Sequence, residues 1–218
     1  MVFQTSEIQL IVNEKKANAY LANGGGPGVL VLHAWWGLNP FFKKVADQLA
    51  EQGFTALAPD LMSGKVATTV EEAKELINTV EDEYASGVVN TAKDYLCEIT
   101  NGKIGAIGFS MGGWWSLSIA SSAPDQVGAI ALFYGNGEAD FGKIKAKVMG
   151  HFSDADEWEP MEYVDKTFAA FEKAGVDATL NIYPGVAHWF MEDDRPEYNA
   201  EASQLAWERT YKFLKENL

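Results

Sequence analysis

The sequence predicts an α/β fold in which a mostly parallel sheet of about eight strands is flanked by helices. After about residue 29, apolar runs of strand length alternate with longer segments of helical periodicity, which is typical of βαβ units. The length of 218 residues is sufficient for one well-buried core. No internal repeat is visible, so we expect a single domain over residues 1–218.

The first two strands differ from the rest because they are short and precede the alternating pattern. They are predicted in SEIQLIV and ANAYLA, and the glycine-rich turn at residues 23–28 separates them from the next strand, GVLVLHA. We expect an antiparallel pair that leads into the parallel strands. Asn39 and Pro40 then match an N-cap and a first helical residue, and Gly53 is expected to end that helix.

The middle of the chain continues the alternation of strands and helices. FTALAPDL predicts a buried strand, and a capping box of Thr69 with Glu72 begins an acidic helical region. This region is expected to extend to about Cys97 and to break near Ser86 and Gly87. The elements predicted after it are a strand at KIGAIGF, a helix over residues 111–122, strands at VGAIALFY and AKVMGHF, a helix from Pro160, a strand at ATLNIYP and a helix over about residues 197–216.

The composition favours a small molecule as the partner of this chain. Acidic residues outnumber basic ones by 31 to 17, and a net charge of −14 repels nucleic acid and anionic membranes. The first residues lack a basic segment that leads into an apolar run, and no apolar run approaches the length of a membrane span. We therefore expect a cytoplasmic protein without a membrane segment. Cys97 is the single cysteine, so no internal disulfide is expected.

The segment GFSMGG carries the strongest chemical signal. Gly108, Ser110 and Gly112 form the pattern G-x-S-x-G between a predicted strand and a predicted helix, which is the setting of a nucleophile elbow. The helix that follows directs backbone N–H groups towards the place where a substrate oxygen gains charge. The alternative is an ordinary strand-to-helix turn in which Ser110 is only an N-cap.

A serine hydroxyl needs a base to remove its proton, and the chain has three histidines. In the order nucleophile, acid, histidine, the base follows the last strand, and only His188 satisfies that order. His33 and His151 lie at or within predicted strands and are expected to be structural. For the acid, both Asp154 and Asp156 follow the strand that contains His151, and their positions alone leave the choice open.

Several long motifs together resemble the dienelactone hydrolase family of α/β-hydrolases. They are HAWWGLN, GFSMGG, GHFSDADEWEP and KAGVDATLNIYPGVAHWF, and the resemblance extends from about residue 6 to the C-terminus. It implies an α/β-hydrolase fold without a large lid domain, with Asp156 as the triad acid and His188 as the base. It also implies that the backbone N–H groups of Trp35 and Met111 form the oxyanion hole, and it implies no metal or organic cofactor.

The chain departs from that family at two places. Well-characterised dienelactone hydrolases have a cysteine where this chain has Ser110 and a glutamate where it has Ala34, which together indicate a serine-esterase version of the fold. The family also uses arginines to hold the carboxylate of dienelactone, one of them shortly after the catalytic histidine. Glu192 stands four residues after His188 here, so an anionic dienelactone is not the expected substrate.

Aromatic residues near the predicted catalytic positions indicate an apolar pocket. The pocket candidates are Trp36, Trp114, Tyr134, Trp158 and Trp189. The expected substrate is therefore a small, neutral, apolar or aromatic ester or lactone, cleaved by a monomer or small homo-oligomer. The alternatives are a dienelactone hydrolase (carboxymethylenebutenolidase) proper, other acyl chemistry on the same triad, or a noncatalytic relative that binds a hydrophobic ligand.

Overall fold

The computed structural model describes residues 3–218, and this part of the chain contains eight strands and six α-helices. It divides into two compact units, one ending at Ala106 and the other beginning at Ile107. The expectation of one domain over the whole chain stays a prediction.

The first unit contains the predicted antiparallel lead-in. Its strands are β1 (Gln4–Val12), β2 (Lys15–Asn23), β3 (Gly28–Leu32) and β4 (Thr55–Pro59). They lie in the order β1-β2-β4-β3, in which β1 and β4 both pair antiparallel with β2, and β3 pairs parallel with β4. Its helices are α1 (Pro40–Glu51), α2 (Val70–Ile77) and α3 (Asp82–Thr100). The antiparallel start is thus confirmed.

The predicted helix caps of this unit are present. The side chain of Asn39 accepts a hydrogen bond from the N–H of Phe42, and Pro40 is the first residue of α1. Thr69 and Glu72 form the expected capping box at the start of α2, each side chain accepting from the other residue's backbone N–H. Local residue types alone therefore predict where these two helices begin.

The predicted break at Ser86 and Gly87 is wrong, because Gly87 lies inside α3. The interruption is at residues 78–81, where the side chains of Asn78 and Thr79 donate to the last carbonyls of α2 and end it. Gly87 has a packing role instead: a Cβ atom there would lie 2.6 Å from Cγ1 of Val12. The glycine lets α3 approach β1 closely.

The second unit continues the βα pattern after β5 (Ile104–Phe109), a strand that spans the boundary between the units. Its elements are α4 (Met111–Ser122), β6 (Val127–Phe133), β7 (Lys147–Ser153), α5 (Met161–Ala174), β8 (Ala178–Tyr183) and α6 (Ala200–Asn217). β7 pairs parallel with both β6 and β8, so the carboxyl ends of these strands meet at one edge. The loops that leave this edge carry the candidate site.

The last helix begins three residues later than the predicted start. Asn199 is its N-cap, and its side chain accepts from the N–H of Ala202 at 3.0 Å. Among residues 3–218, no helix is both long and apolar enough to cross a membrane.

Candidate active site

Ser110 occupies the sharp turn between β5 and α4. Its backbone has a φ of 49° and a ψ of −115°, a region that non-glycine residues rarely adopt. The backbone is held there because Ser110 N–H donates to Phe133 O at 2.9 Å and Ser110 O accepts from Gly113 N–H at 2.8 Å. Although Ser110 stands at the N-cap position, its side chain makes no capping hydrogen bond. Strained backbone held by its surroundings is common at functional sites.

Glycines surround this turn because no side chain fits. A Cβ atom on Gly108 would lie 2.1 Å from the carbonyl oxygen of Gly112. A Cβ atom on Gly135, in the loop after β6, would lie 2.1 Å from the carbonyl oxygen of Ser110. The motif glycine Gly108 is thus explained by crowding within the turn, whereas Gly135 is required by the approach of a neighbouring strand end.

The structure brings Ser110, Asp156 and His188 together although they are far apart in sequence. The Nε2 atom of His188 lies 2.9 Å from Oγ of Ser110, and its Nδ1 atom lies 2.7 Å from Oδ2 of Asp156. Because the carboxylate only accepts, we assign the proton to Nδ1, which leaves Nε2 to accept from the Ser110 hydroxyl. His188 and Asp156 are both buried.

The two candidate acids have different roles in this loop. Asp156 uses Oδ2 for His188, and its Oδ1 accepts from the backbone N–H groups of Trp158 and Glu159 at 2.8 and 2.9 Å. Asp154 is exposed, and its Oδ1 accepts from Gly185 N–H at 2.7 Å. Only Asp156 contacts His188, so the geometry favours the aspartate that the family resemblance implies.

His151 is a fully buried structural histidine, as expected. Its Nδ1 atom accepts from the hydroxyl of Tyr183 at 2.8 Å, and its Nε2 atom lies 3.0 Å from Oγ1 of Thr210. Burial, followed by the charge of Arg209, lowers the pKa of His151 to about 3. Arg209 is half-buried, and it donates to the Tyr183 hydroxyl at 3.2 Å.

His33 is also buried and structural, within the first unit. Its Nε2 atom accepts from Leu61 N–H at 3.0 Å, and its Nδ1 atom lies 2.7 Å from the carbonyl oxygen of Ala34. These bonds assign the proton to Nδ1. Burial lowers the pKa of His33, so the ring stays neutral and holds the chain after β3 in place.

The two oxyanion candidates lie in different units. Met111 is the first residue of α4, so its N–H belongs to the unpaired donors of a helix N-terminus. Trp35 follows β3 in the first unit, where Gly37 N–H donates to Ala34 O at 3.3 Å and Ala67 N–H donates to Trp36 O at 2.9 Å. Their shared oxyanion role stays a prediction.

The aromatic pocket candidates differ sharply in exposure. Trp114 and Trp158 are 38% and 46% exposed, whereas Trp189 is buried and Trp36 is fully buried. Trp115, the neighbour of Trp114 on α4, is buried, because adjacent helix positions point in different directions. Trp114 and Trp158 are thus the candidates in the second unit that are exposed to solvent.

Tyr134 does not lie at a pocket rim, which corrects the sequence-based expectation. It is fully buried, its φ is 39°, and its hydroxyl donates to Oε1 of Glu192 at 2.9 Å. Its ring lies 4.9 Å from the imidazole of His188 between centroids. The left-handed backbone after β6 turns the side chain inwards.

The burial of two carboxyl groups near this site was not predicted from the sequence. Glu192 belongs to an acidic run that suggests a solvated loop, yet it is fully buried, and burial raises its pKa to about 8. Glu159 follows Asp156 by three residues, and burial, followed by the charge of Asp156, raises its pKa to about 7. The spacing of four residues between His188 and Glu192 was the only sequence signal available.

The family model for dienelactone hydrolases matches residues 16–218. The chain belongs to the dienelactone hydrolase family. Membership makes it a hydrolase of lactone or ester bonds. The resemblance stated from the motifs is therefore confirmed.

Relatives of this hydrolase match over nearly their whole length. "Protein usf" of Aquifex pyrophilus is 33% identical, and the match covers 94% of this chain and 96% of the relative. A "Putative carboxymethylenebutenolidase" of Aquifex aeolicus is 31% identical, with 93% and 94% covered. A solved structure of a "Putative Dienelactone Hydrolase" from Klebsiella pneumoniae is 22% identical and superposes with a TM-score of 0.89 over 99% of this chain and 100% of that one. The α/β-hydrolase fold is thereby confirmed.

Proposed function

We propose that the hydrolase cleaves small, neutral carboxylic esters or lactones through an acyl-enzyme formed on Ser110. The observation that carries the proposal is the hydrogen-bonded chain from Ser110 Oγ to His188 Nε2 and from His188 Nδ1 to Asp156, with distances of 2.9 and 2.7 Å. This is the arrangement that a serine nucleophile requires, with a base in reach and an acid that orients the base.

In the first half of the reaction, Ser110 Oγ attacks the substrate carbonyl carbon while His188 Nε2 removes the hydroxyl proton. The resulting imidazolium is stabilised by the Asp156 carboxylate, which itself stays ionised. His188 then gives the proton to the leaving alkoxide as the carbon–oxygen bond to the alcohol breaks. The product is an alcohol, or a ring-opened hydroxyl if the substrate is a lactone, and an ester on Ser110.

In the second half, water takes the place of the alcohol. His188 Nε2 removes a proton from water, the hydroxide attacks the acyl carbon, and the proton passes to Ser110 Oγ as the acyl group leaves as a carboxylic acid. In both halves the carbonyl oxygen gains negative charge near the N-terminus of α4. We assign its stabilisation to the N–H of Met111, with Trp35 as the expected second donor.

The preference for neutral substrates rests on charge and on the exposed aromatic residues. Glu192 stands where dienelactone hydrolases are expected to have an arginine, and the net charge of −14 disfavours anionic ligands. Trp158 is exposed, and its ring centroid lies 6.4 Å from that of His188. An apolar or aromatic acyl or alcohol group fits such surroundings better than a carboxylate does.

A dienelactone hydrolase proper is the second candidate, and the name of the Aquifex aeolicus relative favours it. The two candidates differ in their preferred substrate. The first predicts higher kcat/KM for p-nitrophenyl acetate or butyrate than for cis-dienelactone, and the second predicts the reverse. Both require Ser110, so fluorophosphonate labelling of that residue, read by mass spectrometry of the peptide, is the common test. A chain that stays unlabelled would instead be a noncatalytic binder of hydrophobic ligands.

The acidic composition supports a small-molecule substrate and a cytoplasmic location as parts of this proposal. We propose a monomer or a small homo-oligomer as the active form.

A further inference from the structure

The imidazole of His188 packs against a tyrosine that the triad mechanism does not use. The Tyr134 ring centroid lies 4.9 Å from that of His188, with an angle of 55° between the planes. On another side, Phe190 packs edge-on against Tyr134 at 5.4 Å. Tyr134 is fully buried and has a φ of 39°, so its backbone is held in a conformation that tyrosine rarely adopts.

The hydroxyl of Tyr134 is anchored on Glu192. It donates to Oε1 at 2.9 Å, and both side chains are fully buried. Glu192 also lies in the loop that carries His188, since its N–H donates to Trp189 O at 3.0 Å. The hydrogen bond therefore joins the end of β6 to the histidine loop across 58 residues of sequence.

We propose that Tyr134 and Glu192 are positioning residues for His188: their hydrogen bond holds the tyrosine ring against the imidazole and thereby keeps His188 aligned between Asp156 and Ser110. This inference rests on the proposed role of His188 as the base. Neither Tyr134 nor Glu192 touches the reacting atoms in this arrangement. Their effect on catalysis passes through the orientation of the imidazole.

The protonation states suit this role at neutral pH. The charged or titratable groups that act on Glu192 are Tyr134, Asp194, Arg195 and Glu197, and Asp156 acts on Tyr134. Burial raises the pKa of Glu192 to about 8, and burial also raises the pKa of Tyr134 well above its ordinary value. The pair is therefore a neutral phenol that donates to a neutral acid. Glutamine reproduces that acid in shape and hydrogen bonding, but leucine does not.

The test compares Y134F, E192Q and E192L in p-nitrophenyl acetate hydrolysis, together with the low-field proton NMR signal of His188 Nδ1–H. We expect Y134F and E192L to lower kcat by about tenfold or more with KM changed less than about twofold, because alignment acts on the chemical step. We expect E192Q to stay within about threefold of the wild-type kcat. The low-field signal should broaden or shift in Y134F and E192L and persist in E192Q.

Y183F is the matched control, because Tyr183 is another buried tyrosine of the same unit. Its hydroxyl bonds to His151 and not to a residue of the His188 loop. Y183F should lower thermal stability and leave the His188 signal unchanged. Wild-type kcat and signal in Y134F would overturn the inference, and so would an E192Q variant as impaired as E192L. A lower kcat with an unchanged His188 signal would also overturn it.

The NMR measurement separates this inference from the proposed function. It reports the His188–Asp156 hydrogen bond whether or not Ser110 reacts, whereas failed fluorophosphonate labelling concerns Ser110 alone. If E192L does not fold, Y134F and E192Q still decide the outcome, since both keep the size of the native side chain.

Discussion

The Asp156 carboxylate reaches Nδ1 of His188 with one oxygen, at 2.7 Å, while its other oxygen accepts two backbone N–H groups from the residues that follow it. The loop itself thus sets the direction of the carboxylate. An acid held by its own backbone presents a fixed acceptor to the imidazole, which selects the tautomer with the proton on Nδ1.

The two aspartates of this loop should therefore differ strongly on substitution. In D156N the amide can donate to Nδ1 and favour the wrong tautomer, so we expect kcat to fall by about 10³- to 10⁴-fold, as in other serine triads. In D154N the amide oxygen can still accept from Gly185 N–H, so we expect kcat within about threefold of wild type. Steady-state hydrolysis of p-nitrophenyl acetate by the two variants gives the comparison, and equal losses would refute the assignment of Asp156.

The strained backbone at Ser110 predicts that a residue needed for activity lowers the stability of the fold. Glycine adopts a φ of 49° without strain, whereas alanine does not. The free energy of unfolding of S110G should therefore be about 1–2 kcal/mol larger than that of S110A. Both variants should lose ester hydrolysis. Urea unfolding of the two variants measures this difference. Both variants lack the serine hydroxyl, so its loss does not contribute to the difference. Equal stabilities would mean that the turn is not strained.

The buried acid Glu192 should make stability depend on pH. Its pKa rises from an ordinary value of 4.5 to about 8 on folding, so between these values the folded state holds a proton that the unfolded state has released. The free energy of unfolding therefore falls as pH rises, by up to about 5 kcal/mol from this group between pH 4.5 and 8. E192Q has no such proton and should match the wild type at pH 4.5 and exceed it at pH 8.

Thermal unfolding of both proteins across this pH range tests the sign. E162Q is the control, because the hydrogen bond from Lys166 lowers the pKa of the exposed Glu162. The stabilisation from this hydrogen bond is present above the pKa that Glu162 has in the unfolded state, and it is lost as pH falls. E162Q should therefore not gain stability at pH 8. A constant difference between E192Q and the wild type over the whole range would show that Glu192 is ionised in the folded state.

The crowded turn predicts that Gly135 cannot be replaced. The Cβ atom of alanine would lie 2.1 Å from Ser110 O, a backbone atom that cannot move without displacing the nucleophile. We expect G135A to lose activity and to be destabilised by about 3 kcal/mol or more. G142A is the matched change, since its Cβ atom would meet only an Asp140 side-chain oxygen at 3.5 Å. The free energy of unfolding of G142A, measured by chemical denaturation, should lie within about 0.5 kcal/mol of the wild-type value.

Features that depend on neighbours within a few residues were predicted well from the sequence. The caps at Asn39 and Thr69 and the turn at Ser110 follow from side chains that bond to, or glycines that leave space for, the adjacent backbone. The antiparallel lead-in was expected from two strand patterns and a glycine-rich turn before β3, but β1 and β2 are nine residues long rather than short. The helix break predicted at Gly87 was wrong because this glycine is needed for a distant contact. It lets α3 pack closely against a strand about 75 residues away and does not interrupt the helix.

The order of strands and helices, the elbow at Ser110 and the family were predictable from the sequence, because these follow from local periodicity and motif spacing. Residue positions alone left Asp154 and Asp156 open, the family resemblance implied Asp156, and the fold brings Asp156 to His188. That Trp114 rather than Trp115 is exposed, and that Tyr134 is buried against Glu192, could be seen only in the folded chain. An acidic run looks solvated in sequence whichever of its members points inwards. Burial is set by the elements that pack against a side chain, and for Glu192 the decisive partner lies 58 residues away.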